Sequence, residues 1–503
     1  MSKDEIEARV STHEDIVAEK PDTRGYTGDF ITARREKSAA ERSLVWKAGA
    51  LFTALAALVY FVAYLDRNSI GNARVAGMQK DLMLSNKQYS TCVSMFFVGY
   101  ILFLLPANII LKIIPPNFVI GGSTLLFGAL VCGLGGAKNY ATVLALRILV
   151  GSSQAFIQGL TMYSSFWFRR NEIAMIAGIL YSAATLSGAF SGLIAYGAVK
   201  NLSKAETGRD PWQWVYIIDG TVAVAVGILT MLMLPAFPDD IMKKGKHWLF
   251  TQEELGVACE RSASFNTLGE KVNYRQMWAA LKDVKSWLFV VLQLGIATGI
   301  GTVGVFLPSF IRDFGFSPLN TQLISVIPYA CAFITLIVIG IASDRLNKKG
   351  PFLIGTISSA IIGFIIILTD VSNPVKIFAT CLITSGLYPS VILLVTWLSI
   401  NTAGFTKRGT TWAMAEIGGQ CLSIMGTHVY DNPPRYIKGH SVILGLLCAS
   451  LLSVIALMLW MQRCNMEKDR IESEYHERGE QHPHALRSLE QECDQHQFFR
   501  YIL

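Results

Sequence analysis

Charged side chains are scarce in this chain of 503 residues, and that scarcity limits what the protein can be. Asp, Glu, Lys and Arg make up 16% of the residues, and hydrophobic residues make up 52%. Soluble domains carry about 25% charged residues. The mean hydropathy is +0.40. This composition argues against a water-soluble protein and predicts that most of the chain lies in a lipid bilayer.

Motifs of common enzymes are missing as well. The chain contains no P-loop, no HExxH segment and no nucleophile elbow. It therefore predicts neither an enzyme nor a cofactor. None of the nine cysteines falls clearly in a loop expected outside the cell, so disulfides are not expected. No metal site is expected either, because the histidines near the end are interpreted as part of a solvated polar tail: His476, His482, His484 and His496.

Twelve apolar runs occur along the chain, six before and six after a polar segment at 236–285. Each is about 20 residues long, the length of a helix that crosses the ~30 Å hydrocarbon core of a bilayer. The runs are continuously apolar instead of alternating, so helices are predicted and a β-barrel is not. The predicted fold is all-α, a polytopic membrane protein with 12 transmembrane helices in two six-helix halves. The predicted spans are 46–65, 89–111, 117–137, 140–162, 172–199, 212–235, 286–311, 319–342, 351–370, 375–400, 409–430 and 440–462.

These spans divide the chain into five predicted regions. Residues 1–45 are charged throughout and lack an apolar core, so the first span is expected to insert as an uncleaved signal. The predicted regions are an N-terminal tail (1–45), a first helical bundle (46–235), a central loop (236–285), a second helical bundle (286–463) and a C-terminal tail (464–503).

Positive charges set the predicted orientation. Lys and Arg in the short loops alone favour termini outside the cell. The central loop and the residues flanking the first span add enough Lys and Arg to reverse that orientation. Both termini are therefore predicted to be cytoplasmic. The sequon Asn201-Leu202-Ser203 then lies in an outside loop, where Asn201 is a candidate glycosylation site. The net charge of +7 is interpreted as contact with anionic lipid and not with nucleic acid, and a monomer is expected.

Local motifs resemble one family of membrane transporters. The segment YLDRNSIGNARVAGMQKDL (64–82) follows the first span, and YDNPPRYIKGH (430–440) follows the eleventh. Further matches are RILVGSSQA (147–155), WFRRNE (167–172), YIIDG (216–220) and GIASDR (340–345). Together they resemble the fungal allantoate permease branch of the anion:cation symporters, within the major facilitator superfamily. Within that branch, IGNARVAG (70–77), KDVKSW (282–287) and PPRYIKG (433–439) are most similar to the nicotinic acid permeases of yeasts.

The resemblance implies two helical halves that rock around a midplane cavity, which opens alternately to either side. It also implies small organic anions as solutes, such as nicotinate, pantothenate, biotin or allantoate, moved inward with protons across the plasma membrane.

Arg147 gives an independent reason to expect an anion. It lies several residues inside the fourth span, where a permanent charge should face a wet cavity or a partner. Gly151, Gln154 and Gln158 follow at helical spacing, so the four residues share one face that can hold a carboxylate. In the alternative interpretation, Arg147 is a structural anchor near the outer end of its helix.

Asp66 and Arg67 match an acidic-basic pair at the end of the first span in the family. Adjacent residues point about 100° apart on a helix, so they are not expected to pair only with each other. Arg67 is the second candidate cation for the solute. Asp66 is a candidate proton carrier or a partner of Arg147. The alternative is a solvated helix end whose charges fix the extracellular gate.

One residue departs from the pattern of the family, in which a Glu stands where this chain has Gln154. A neutral amide cannot take up a proton, so the family's coupling mechanism does not transfer directly. Glu416 lies in the middle of the eleventh span, with Gln420 one turn away. We hypothesise that Glu416 has taken over proton coupling. The alternatives are a contact that ties helices together and a carrier without coupling.

Two further groups of residues complete the predicted site. Asp344 and Arg345, in GIASDR, match a short loop motif of the superfamily and are predicted to lock the cytoplasmic helix ends as a gate. Tyrosines on membrane helices can stack on an aromatic solute or simply pack between helices. The predicted solute contacts among the tyrosines and amides are Tyr181, Tyr329, Tyr388, Gln158 and Gln420.

Three functions remain open at this point. The preferred one is proton-coupled uptake of a small organic anion. The second is export of a carboxylated metabolite, which the Gln154 departure keeps open. The third is a nutrient sensor that does not transport, and the ordinary length of the tails and central loop argues against it.

Overall fold

The computed structural model describes residues 39–164, 166–168, 170–244, 248–265, 273–430, 435–478, 493–497 and 499–503. Most of the predicted N-terminal tail, with His482 and His484 of the histidine group, lies outside these residues. The unit described below is Ser38–Leu503.

Twelve long helices make up the described part of the chain, and they confirm the predicted all-α fold. In the first half they are α1 (Ala39–Val75), α2 (Asn86–Ile113), α3 (Pro116–Leu134), α4 (Tyr140–Gln154, extended by a 3₁₀ turn Ala155–Gln158 and Gly159–Ser164), α5 (Arg170–Asn201) and α6 (Pro211–Met233). In the second half they are α7 (Val284–Asp313), α8 (Pro318–Ile324 and Val326–Leu346), α9 (Gly350–Leu368), α10 (Asn373–Asn401), α11 (Phe405–His428) and α12 (Ile437–Glu477).

By the residues that the structure describes, ten of these helices are long and apolar enough to cross a membrane. Between the halves lie three shorter helices, Pro238–Lys244, Gln252–Phe265 and Tyr274–Lys282. The helix of Gln252–Phe265 is tied to α1, because Lys47 Nζ lies 2.8 Å from the carboxylate of Glu254. The central segment is therefore partly folded and packed on the bundle.

Two helices extend well beyond their predicted ends. The apolar pattern predicts the first span over 46–65, whereas α1 continues to Val75. The reason is that Asp66, Asn68, Ser69 and Asn72 are all buried against other helices, so their polarity does not end the helix. At the other end of the chain, α12 continues to Glu477 instead of stopping near 462.

Polar caps mark the starts of several helices. Ser85 and Gln88 form a capping box at the start of α2, and the Asn139 side chain accepts a hydrogen bond from the backbone N–H of Thr142 at the start of α4. Asp283 caps α7 in the same way. These caps satisfy backbone groups that the bilayer could not.

The two halves meet tightly at the end of the bundle where α1 and α7 finish. Gly71 on α1 lies so close to α7 that a Cβ atom there would clash with the backbone oxygen of Val305. Gln322 Nε2 on α8 donates a hydrogen bond to the backbone oxygen of Asn72 (3.0 Å). We call this contact of Gly71 and Asn72 with Val305 and Gln322 the closed end. Small residues let the helices approach so closely.

The C-terminal segment packs against the opposite end of the second half. Asp494 is buried and lies 2.6 Å from both Lys285 Nζ of α7 and Lys407 Nζ of α11. The backbone oxygen of Ile502 accepts hydrogen bonds from Trp397 and Asn401 of α10. His496 is also buried, so the interpretation of this region as a solvated tail is wrong for residues 493–497.

Asp494 is expected to be a major stabilising residue of the second half. Asp494→Asn would leave buried Lys285 without a counter-ion and Lys407 with Asp283 alone, at a cost of about 3–5 kcal/mol in the free energy of unfolding. The control is Asp469→Asn, which removes an exposed pair with Arg500 worth about 0–1 kcal/mol. Thermal unfolding of the purified protein should show a clear decrease in Tm for the first variant only. Equal Tm values would contradict the assignment.

The pH dependence of this stabilisation has a definite sign. Burial alone would raise the pKa of the Asp494 carboxyl, but Lys285 and Lys407 hold that pKa below its usual range. A lowered folded pKa gives stability that is present above the unfolded value of about 3.9 and lost as the pH falls through the folded value. Thermal unfolding should therefore give the same difference in Tm between Asp494→Asn and Asp469→Asn at every pH from 5 to 8.

Candidate functional site

A cavity lies between the two halves, beneath the closed end. Its empty space is about 960 Å³, including solvent at its mouth. The first half contributes residues of α1, α2, α4 and α5, and the second half contributes residues of α7, α10 and α11. The polar and aromatic lining residues are Tyr64, Arg67, Asn68, Phe96, Phe97, Arg147, Gln158, Tyr181, Gln293, Tyr388, Glu416 and Gln420.

Arg67 lies in the wall of the cavity within a group of aromatic rings. Its guanidinium carbon lies 4.7 Å from the ring centre of Tyr64, 4.9 Å from that of Phe96 and 5.1 Å from that of Tyr100. Its Nε donates a hydrogen bond to Gln154 Oε1 (3.2 Å). No ion pair joins Arg67 to a carboxylate in the described part of the chain. The charge of Arg67 is therefore held by ring faces and an amide, which fix its position without neutralising it.

Arg147 is in a different electrostatic environment. It is 2% exposed, and its Nη1 lies 3.5 Å from Oδ2 of Asp66. Its Nη2 donates to the hydroxyl oxygen of Tyr216 on α6 (3.3 Å). Two roles are predicted for Asp66, a proton carrier and a partner of Arg147. The structure has the geometry of the second role. A buried charge requires a counter-charge, and Asp66 supplies it for Arg147.

Gln154 connects the two arginines through Asp66. Its Nε2 donates to Asp66 Oδ2 (3.0 Å), while its Oε1 accepts from Arg67. An amide can donate and accept at once, whereas an ionised Glu here would only accept and would repel Asp66. The departure from the family pattern therefore fits its surroundings.

Glu416 lies in the second half of the cavity wall. Its two carboxylate oxygens accept hydrogen bonds from Gln293 of α7 (3.1 Å) and Gln420 of α11 (2.7 Å). Arg67 and Tyr64 of the first half line the same cavity. No Lys, Arg or His forms an ion pair with it among the residues that the structure describes. The cavity thus has a fixed cation in one half and an acid in the other.

The structure brings most of the predicted site residues together. Arg67, Arg147, Gln158, Tyr181, Tyr388, Glu416 and Gln420 line the cavity. Asp66 and Gln154 are buried behind it. Tyr329 is placed differently, because its ring packs on Gly188 of α5 and its hydroxyl lies 3.4 Å from the backbone oxygen of Gly304. It closes the space between the halves and lies behind the lining residues Gly304 and Tyr388, with its ring centre 6.0 Å from that of Tyr388.

The predicted gate and glycosylation residues lie away from the cavity. Asp344 forms an ion pair with Lys349, at the start of α9, and Arg345 is exposed. This ion pair stays within the second half, so it does not join the ends of the two halves. Asn201 is the exposed last residue of α5.

Several lining residues were not singled out from the sequence. Gln293 is an isolated amide in the apolar run of α7, and that isolation is a usable signal. Phe96 and Phe97 give no signal, because Phe is common in every membrane helix. Asp219, in the YIIDG segment, is a buried acid on α6 that lies outside the cavity lining.

Comparison with known proteins gives consistent results. A family model described as Major Facilitator Superfamily matches residues 56–427. The High-affinity nicotinic acid transporter of Saccharomyces cerevisiae is 31% identical over 92% of this chain and 85% of its own length. The MFS transporter prlL of a fungal species is 30% identical, over 90% of this chain and 92% of its own.

Among solved structures, the partially occluded inward open xylose transporter XylE from E. coli is similar. Its TM-score is 0.61 at 15% identity, over 81% of this chain and 97% of that chain. At this level of identity the likeness concerns the fold alone, and it agrees with two six-helix halves around a central cavity.

Proposed function

This chain belongs to the major facilitator superfamily and is a membrane transporter, and from that premise we propose that it carries a small organic anion of the nicotinate class. The proposed direction is inward, with protons, across the plasma membrane. In the proposed orientation both termini are cytoplasmic, and the closed end faces the outside.

The environment of Arg67 carries this proposal. Of the two arginines in the wall, Arg147 is paired with Asp66 at 3.5 Å, whereas Arg67 is surrounded by aromatic rings and the Gln154 amide and forms no ion pair with a described residue. A carboxylate entering the cavity therefore meets one cation that is not already held in an ion pair. The planar guanidinium can hold such a group through two parallel hydrogen bonds.

The aromatic wall favours a flat ring on that carboxylate. Tyr64, Tyr181 and Tyr388 line the cavity together with Arg67. An aromatic acid bound to the guanidinium would place its ring among these side chains, where stacking adds about 0.5–1.5 kcal/mol per aromatic pair. The name of the yeast relative, a nicotinic acid transporter, agrees with a solute of this chemistry.

Glu416 supplies a reason for proton coupling. When ionised, it competes with an anionic solute for Arg67 and repels that solute. When protonated, it no longer repels the solute and can donate a hydrogen bond. Binding of the anion and of a proton therefore favour each other, which is the thermodynamic basis of symport.

Export of a carboxylated metabolite is the second candidate, and Gln154 is the observation that favours it. Without an acid on α4, inward proton coupling depends on Glu416. If Glu416 only ties α7 to α11 through Gln293, the same cavity would move anions without protons. The sensor alternative gains no support from the cavity.

Uptake by cells tests the proposal. Yeast lacking its own nicotinate permease and expressing this chain should take up labelled nicotinate faster at pH 5 than at pH 7. Arg67→Gln should lower uptake by on the order of 10- to 100-fold, since hydrogen bonds to charged groups contribute about 1.5–3 kcal/mol. Arg312→Gln, an exposed arginine at the end of α7, is the matched control. Absence of uptake despite surface expression would contradict nicotinate import, and efflux from preloaded cells would then test export.

Glu416→Gln separates coupling from binding. A neutral amide mimics the protonated acid, so the apparent KM for nicotinate should become the same at pH 5 and pH 7 while exchange of internal for external nicotinate continues. Glu206→Gln, at an exposed position after α5, is the control and should keep the pH dependence. An unchanged pH dependence of KM in Glu416→Gln would remove this residue from the coupling mechanism.

A further inference from the structure

Asp219 is a buried acid that the transport site does not use. It lies on α6, is 2% exposed, and does not line the cavity. Its Oδ2 is hydrogen-bonded to the Ser69 hydroxyl of α1, and its Oδ1 has no partner among the described residues. No cation of the described part of the chain forms an ion pair with it. An ionised carboxylate in such surroundings is costly.

The charged and titratable groups around Asp219 do not remove that cost. Helix α6 packs against α3, α1 and α5. From α1, Asp66 faces it with a like charge, which Arg147 of α4 already compensates. Helix α3 contributes the thiol of Cys132, which donates a hydrogen bond to the backbone oxygen of Ile217 on α6. Helix α5 contributes the hydroxyl of Ser191, which is hydrogen-bonded to Ser69.

Hydrogen bonds connect Asp219 to the closed end. The Ser69 hydroxyl lies 3.2 Å from that of Ser191, and Asn72 Nδ2 donates to Ser191 Oγ (2.6 Å). The backbone oxygen of the same Asn72 accepts the hydrogen bond from Gln322 of the second half. A continuous chain of polar contacts thus runs from the acid to a contact between the two halves.

Hydrogen counting shows which protonation state suits this arrangement. A hydroxyl donates one hydrogen bond and accepts two. Ser69 Oγ also lies 2.7 Å from the backbone oxygen of Leu65. If Asp219 is protonated, it donates to Ser69, Ser69 donates to Leu65, and every hydroxyl hydrogen has an acceptor. If Asp219 is ionised, Ser69 cannot donate to both Asp219 and Leu65, and the unpaired Oδ1 then shares a negative charge in a dry site.

We propose that Asp219 is a proton-responsive gating residue, whose protonated form stabilises the closed end and whose ionised form favours an arrangement that admits water there. It is a positioning residue, because it acts through Ser69, Ser191 and Asn72 and does not touch the solute. The inference rests on the proposed proton-coupled transport, but it concerns the movement of the empty carrier.

The test therefore uses no solute. Fluorophores at Lys200→Cys on α5 and Asn320→Cys on α8, two exposed positions near the closed end, report the distance between the halves by energy transfer. The parent is the full chain with its nine cysteines replaced, purified in lipid nanodiscs. The parent should show a longer distance at pH 8 than at pH 5. Asp219→Asn, which mimics the protonated acid, should keep the short distance at both values.

Controls separate this role from a structural one. Thr230→Val removes another buried polar group from α6 and should retain the full pH response. Ser191→Ala breaks the polar chain while keeping Asp219 and should reduce the response, whereas Ser182→Ala, whose hydroxyl bonds only to its own helix, should not. The serine pair keeps the proposal testable if Asp219→Asn fails to fold.

A parent whose distance does not change with pH, or an Asp219→Asn variant with the full response, would overturn the proposal. Because no solute is present, failure of nicotinate uptake leaves this result unaffected. Conversely, loss of the pH response in Asp219→Asn would stand even if the solute proves to be another anion.

Discussion

The buried pair of Asp66 and Arg147 is the interaction on which the electrostatics of the cavity depend. Two charges removed from water must compensate each other closely, and here they do so at 3.5 Å, while Gln154 also donates to the paired Asp66 oxygen and Tyr216 accepts from a second nitrogen of Arg147. Because Arg147 is paired in this way, we propose Arg67 as the cation that attracts an anion. Without Asp66, two uncompensated arginines would share one wall, and the cavity would attract anions without releasing them readily.

Acids of this protein are divided among environments that suit different tasks. Asp66 is paired with a cation, Glu416 faces the cavity between two amides, and Asp219 is bonded to a serine behind the closed end. Only the latter two can change charge without breaking an ion pair. One lies where a solute would bind and the other where the halves meet. A carrier that alternates between two open states requires control at both places.

Much of the fold followed from the sequence, because a bilayer makes apolar runs of about 20 residues a strong signal. The site followed in part. Arg147 stood out because a charge inside an apolar run needs an explanation, and Asp66 was among its considered partners. The position of Tyr329 could not be predicted, because it depends on a close approach of Gly188 across the interface. Nor could the docking of Asp494, since the contacts of a polar segment with distant lysines leave no periodic pattern.

The central claim is that Arg67, and not Arg147, provides the charge that holds the solute. Direct binding of nicotinate and nicotinamide to the purified protein tests it. The claim predicts binding of nicotinate but not of nicotinamide, and loss of nicotinate binding in Arg67→Gln. It also predicts that the charge-neutral double variant Asp66→Asn, Arg147→Gln keeps its affinity within a few-fold. Unchanged binding in Arg67→Gln, or loss of binding in the double variant alone, would contradict it.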